Sequence, residues 1–225
     1  MVVPDRPGNR SSHLGGCPSL VATRSTAAAR LAFAIAIGLA AGGLTEWSVL
    51  HVPFSLEPLT NSAAPWVLVA FAVALTARRS EESVILAVVT LLALVLGFYL
   101  VQADRGWAVS RHQVAFWLVA GVVIGPAVGL AAGWIRNAGR TAAALSAGLL
   151  GGLLAGEAVY GLTDLRFSSP AGYWHVQLVL GLGLAIGLPL RRARRDPRGY
   201  LSALAVSLAA CIVVGLATIA AYQVP

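Results

Sequence analysis

Lysine is absent from this chain, and charge of either sign is scarce. All sixteen basic residues are arginine, there are nine acids, and only 11 % of the 225 residues are charged. A soluble domain carries about a quarter charged residues, so the composition excludes an ordinary soluble fold. Without lysine a phosphate-cradling GxxxxGK[ST] loop is impossible. No GxSxG is present for a serine hydrolase, and no HxxxH or HExxH pair for a zinc site. Two cysteines, Cys17 in a polar segment and Cys211 in an apolar run, are too few for a disulfide or metal framework. Neither catalysis, a metal nor a cofactor is expected. The net charge of +7 does not indicate nucleic acid, because the arginines fall between apolar runs, where they report topology.

What is abundant is apolar length: 58 % of residues are hydrophobic and the mean hydropathy is +0.79. Seven runs stand out, at Arg30–Leu50, Ser62–Ala77, Ser83–Val101, His112–Ile135, Thr141–Leu162, Trp174–Leu190 and Tyr200–Tyr222. Most reach the ~20 residues that a membrane-spanning helix needs. Ser62–Ala77 is short and carries Pro65 near its start, so it either borrows length from Leu56–Asn61 or packs inside the bundle. Residues 1–28 are rich in Pro, Gly, Ser and Arg and are expected to form a disordered basic cytoplasmic tail. Leu14-Gly15-Gly16-Cys17 is no lipid-attachment signal, since no apolar stretch precedes it. Residues 29–225 then form one all-α domain, a polytopic transmembrane bundle of seven spans.

With the N-terminus inside and the C-terminus outside, thirteen arginines fall on inner segments. Only Arg105, Arg111 and Arg166 fall outside, and this split needs an odd number of spans. Arg191–Arg198 is the strongest inner anchor and a site for anionic lipid. Aromatics gather at the outer ends, among them Trp47, Trp66, Tyr99, Trp107, Tyr160 and Tyr173. The plasma membrane is the expected location.

Packing is written in glycine. Gly121, Gly125, Gly129 and Gly133 lie at i+4 spacing in the fourth run, which is expected to be the packing centre. Gly148 and Gly152 continue to Gly156 in the fifth, Gly38 and Gly42 lie in the first, and Gly183 and Gly187 in the sixth. Small residues at this spacing let helix backbones approach closely. Gly38-Leu-Ala-Ala-Gly42 ahead of Glu46 is similar to Gly152-Leu-Leu-Ala-Gly156 ahead of Glu157, so any duplication would be parallel.

Acids inside apolar runs are the candidates for function, because a charge at membrane depth faces the bundle or a wet cavity. Glu157 shares a face with Tyr160 and Asp164, and Glu46 shares one with Gly42 and Gly38. At the same outer level lie Asn61, Trp66, Tyr99, Gln102, His112, Arg166, His175 and Gln177. Glu157, Tyr99, Asn61, Trp66, Glu46 and Tyr160 are therefore the expected substrate-binding residues of an outward pocket with aromatic walls. A purely structural role for Glu157, hydrogen-bonded to a neighbouring helix or paired with Arg166, is the competing reading.

The chain resembles an uncharacterised actinobacterial family of multipass membrane proteins, the domain of unknown function 6518. The likeness rests on Gly43-Leu-Thr ahead of Leu59-Thr-Asn-Ser62 and Trp66, on Leu96-Gly-Phe-Tyr99, on Gly125-Pro-Ala-Val-Gly129 and on Gly156-Glu157. Phe98 stands where that family has a first tyrosine. The resemblance implies a multipass architecture and directs attention to Asn61, Trp66, Tyr99 and Glu157, but brings no activity or cofactor. The expected function is small-solute binding or transport. The alternative is a non-catalytic membrane scaffold. The expected partners are the lipid bilayer, a small-molecule solute and another membrane protein.

Overall fold

The computed structural model describes the backbone of residues 18–137, 139–193 and 197–223. Among these the fold is all-helical: α1 (Pro18–Ser48), α2 (Pro58–Asn61), α3 (Ala63–Ala74), α4 (Ser80–Asp104), α5 (Arg111–Asn137), α6 (Arg140–Thr163), α7 (Ala171–Ala193) and α8 (Pro197–Tyr222). Helix α1 begins inside the stretch expected to be a tail; residues 1–17 lie outside the described part. Six of the helices, all but α2 and α3, are long and apolar enough to cross a membrane.

The irregular segments follow local chemistry. A short 3-10 turn (Phe54–Leu56) leads to Pro58, which opens α2 where a missing N–H costs nothing. Ser62 is extended (φ −91°, ψ 136°) and separates α2 from α3. At the end of α4, Gly106 takes φ +74°, while Trp107 N–H donates to Gln102 C=O and Gly106 N–H to Ala103 C=O. This is a Schellman stop, in which glycine adopts the left-handed conformation without steric cost.

Close backbone approaches set the order of the bundle. A methyl group on Gly38 would meet Thr90 O, and one on Gly42 would drive into Leu94 O. Residue numbers rise together across this contact, so α1 and α4 are parallel. The segment between them, 49–79, must carry the chain back to the other end. On α5, Gly125, Gly129 and Gly133 abut Val88, Val84 and Ser80 in turn, an antiparallel contact. In the second half of the chain, Gly148, Gly152 and Gly156 abut Ser207, Cys211 and Gly215, so α6 and α8 are again parallel, with α7 returning between them.

The packing centre is α6, not the expected α5. Over its most apolar eighteen residues α6 is 78 % buried, against 28 % in α5. The glycine ladder of α5 packs on α4, while its Phe116, Val119 and Val123 are exposed. Helix α6 is small on two faces: its ladder admits α8, and Gly151 meets Gly181 of α7. Gly183 and Gly187, expected to pack, have open space where a side chain would stand. Identical spacing marks a groove, but whether a helix fills it depends on the neighbours.

Candidate functional site

The two carboxylate oxygens of Glu157 receive five hydrogen bonds. Oε1 accepts from Ala63 N–H at 2.7 Å and Tyr222 O–H at 2.6 Å. Oε2 accepts from Ser62 Oγ at 2.7 Å, Ala64 N–H at 3.0 Å and Gln177 Nε2 at 3.0 Å. The residue is 2 % exposed. Its partners come from the start of α3 and from α7 and α8, so one side chain on α6 ties four segments together.

The reason lies at the N-terminus of α3. A helix leaves its first N–H groups without internal partners, and a serine N-cap followed by Glu three residues on usually meets them. Here Ser62 is the N-cap, but its side chain makes no cap bond and Pro65 occupies the position where the box would place Glu. Proline removes one orphan donor, and Glu157 takes those of Ala63 and Ala64. The acid missing from the local motif is supplied ninety-five residues away.

The other end of α3 is held in a complementary way. Arg136 of α5 donates to Leu75 C=O at 2.7 Å and to Ala77 C=O, and reaches Ser83 Oγ at 3.3 Å. An anion at the N-terminus and a cation at the C-terminus both complement the helix dipole. Helix α3 is thus clamped at both ends by side chains of other helices. Between the clamps Ala64, Val67, Ala70, Val73 and Ala74 are buried.

One turn into α3, Trp66 tilts against Phe98 and Trp117, with ring centroids 5.7 and 6.1 Å away. With Thr60, Ser62 and Tyr99 these rings line a recess of about 60 Å³. Trp66 Nε1 is buried and, among the described residues, meets no acceptor. Two of the expected site residues, Trp66 and Tyr99, therefore meet on one recess, and Ser62 links it to Glu157. Asn61 closes α2, but its side chain lies outside the described part.

Over residues 21–224 the sequence matches a family of unknown function (DUF6518). The chain belongs to that family. No curated protein and no solved structure matches it. Every residue of the site falls within the matched region of this DUF6518 chain.

The remaining expected residues lie elsewhere. In the DUF6518 chain Glu46, on α1, is also 2 % exposed, but among the described residues it pairs only with Arg105, at 4.0 Å, and its Oε1 has no hydrogen bond. Tyr160 stacks on Tyr222 with centroids 4.9 Å apart, supporting the Glu157 knot from outside rather than joining the recess. Arg166 lies over the Phe167 ring, and the donors found on Glu157 are all neutral. His51 and His175 each donate Nδ1–H to a backbone carbonyl four residues earlier, Trp47 C=O and Ala171 C=O. Among the described residues no three His, Cys, Asp or Glu side chains gather as a metal site would require. The side chains of Arg191–Arg198 lie outside the described part. Sequence reasoning did not assign the parts played by Ser62, Gln177, Tyr222 and Arg136. Only Ser62 carried a local signal, as the N-cap residue of Ser-Ala-Ala-Pro.

Proposed function

We propose that this chain is a non-catalytic plasma-membrane protein that binds a small solute in the recess walled by Trp66, Phe98, Tyr99 and Trp117, as a receptor or transport component. The chain crosses the bilayer seven times, N-terminus inside. Parallel α1 and α4 support this, because the segment between them has to return across the same layer. Helix α3 has twelve residues, ~18 Å at 1.5 Å each, against a hydrocarbon core of ~30 Å. The rest of that crossing is irregular backbone, which is tolerated at membrane depth only where protein satisfies its polar groups. Glu157 and Arg136 do so. The recess lies at the end poor in arginine, hence outside.

The observation that carries the binding reading is the recess itself, with aromatic walls from Trp66, Phe98, Tyr99 and Trp117 and the hydroxyl residues Thr60 and Ser62 in its lining. Mostly apolar, aromatic walls with a few polar side chains are the usual make-up of a small-molecule site. Full internal satisfaction of Glu157 favours the second reading, a scaffold, in which the knot serves rigidity alone. A thermal-shift screen of protein in nanodiscs against pooled solutes separates the two. A ligand at a hundred times its Kd stabilises by ~2.7 kcal/mol, and that gain should vanish in Trp66→Phe while basal stability is nearly unchanged. A hit that survives Trp66→Phe, or no hit at all, overturns the recess as a site.

A further inference from the structure

The lining of the recess is electron-rich. Both of its hydroxyl residues spend their protons on groups outside that lining: Thr60 Oγ1 donates to Glu57 C=O at 2.8 Å and Ser62 Oγ to Glu157 Oε2 at 2.7 Å. What these two can offer a ligand is oxygen lone pairs. The other walls are rings. Trp66 is inclined by 59° to Phe98 and by 55° to Trp117, and Phe98 meets Tyr99 edge-on at 77°, so the rings enclose space rather than stack flat. Among the described residues no charged side chain lines the recess. Behind Ser62 stands Glu157. A buried charge is normally paired, yet the donors on this carboxylate are all neutral. The N-terminus of α3 supplies only roughly half a positive charge.

We propose that the ligand of the recess carries a compact organic cation, of the trimethylammonium type, boxed by the aromatic rings and balancing the charge of Glu157 across Ser62. This rests on the recess being a binding site and names the chemical class that it takes. Aromatic faces attract a cation within about 6 Å of the ring centroid, tryptophan most strongly, and Trp66 and Trp117 are two of the four rings. Size agrees. At about 60 Å³ the recess holds roughly four to six waters, so it admits a group as small as trimethylammonium and not a drug-sized molecule. An anion would meet rings and lone pairs with no basic side chain to hold it. A metal ion would want carboxylate or imidazole ligands, and the recess is lined by neither. A neutral solute would leave Glu157 without a counter-charge.

The test is a calorimetric titration of the full chain in maltoside micelles, which carry no ammonium group to compete. The probes are choline and its dimethylbutanol analogue, which has the same shape with carbon in place of nitrogen. Choline should bind at least about tenfold tighter, a margin that only its charge can supply. Trp117 is partly exposed, so Trp117→Leu keeps an apolar wall and removes one ring. It should weaken choline about fivefold, the worth of one cation–π contact, and leave the analogue nearly unchanged. Trp47→Leu, at an exposed ring that stacks on His51 outside the recess, should change neither. Glu157→Gln should weaken choline and spare the analogue; if that variant does not fold, Trp117→Leu still decides. Choline binding unchanged in Trp117→Leu overturns the cation site. Equal affinity for the two probes overturns it too, while the recess stands as a small-solute site. If choline does not bind at all the proposal fails, and the solute screen alone then decides whether the recess binds anything.

Discussion

Two carboxylates, Glu157 and Glu46, are buried to the same degree near the same end of the bundle, each on the first helix of a parallel pair. They differ in what surrounds them. Glu157 has a helix N-terminus, a hydroxyl, an amide and a phenol aimed at it, and each oxygen is met by at least two donors. Glu46 has one arginine at the limit of an ion pair and an oxygen with no hydrogen bond. Burial alone therefore does not tell what an acid contributes. The deciding quantity is how many otherwise orphaned donors it satisfies, because unmet buried donors are what make its loss costly.

That view predicts the largest effect at Glu157. Glu157→Ala takes the acceptor from two backbone N–H groups of α3, from Ser62 and Tyr222, and from one of the two bonds that Gln177 Nε2 donates, and should destabilise the protein by about 3–5 kcal/mol. SDS unfolding in mixed micelles measures it. A loss below about 1 kcal/mol would mean that α3 does not depend on its cap in trans. Glu157→Gln should recover part of the stability, since one amide oxygen still accepts while the amide nitrogen confronts donors.

The opposite end of the same helix gives a smaller effect. Arg136→Ala removes the donor that meets Leu75 and Ala77 carbonyls, and should cost about 1–2 kcal/mol in the same assay. Because both residues act on α3, the double variant with Glu157→Ala should lose less than the two losses added together. Strict additivity would show that the clamps hold separate parts of the structure.

These contrasts also show what was legible in the residues. Apolar run lengths located the six long helices, and the short run with Pro65 marked α3 as the exceptional element. An acid within a glycine-rich run singled out Glu157. What could not be read was its partner set, because a cap supplied from ninety-five residues away leaves no local pattern; the only trace is a serine N-cap whose motif lacks its acid. The hub was misplaced for a related reason. The i+4 glycines of α5 and α6 look alike, but only α6 is small on two faces, at Gly151 as well as along Gly148, Gly152 and Gly156. Tyr160 shares a helix face with Glu157, and that face stacks on Tyr222, a contact that no local pattern announces.

Glu46 supplies the smallest expected effect and the sharpest test of the comparison. Replacing it with Leu removes a buried charge whose Oε1 has no hydrogen bond to lose. Arg105 keeps its bonds to Glu46 C=O and Trp47 C=O, both 3.1 Å, and its side chain is 18 % exposed, so water can serve the rest of the guanidinium. Removing one member of an ion pair is costly where it leaves the other charge buried and uncompensated, and Arg105, with two carbonyls and water, is not left so. Glu46→Leu should therefore stay within about 1 kcal/mol of wild type in the same unfolding assay. If it costs as much as Glu157→Ala, donor count is not what separates the two acids. Arg105 would then hold α1 against α4 through Glu46 as firmly as Glu157 holds α3.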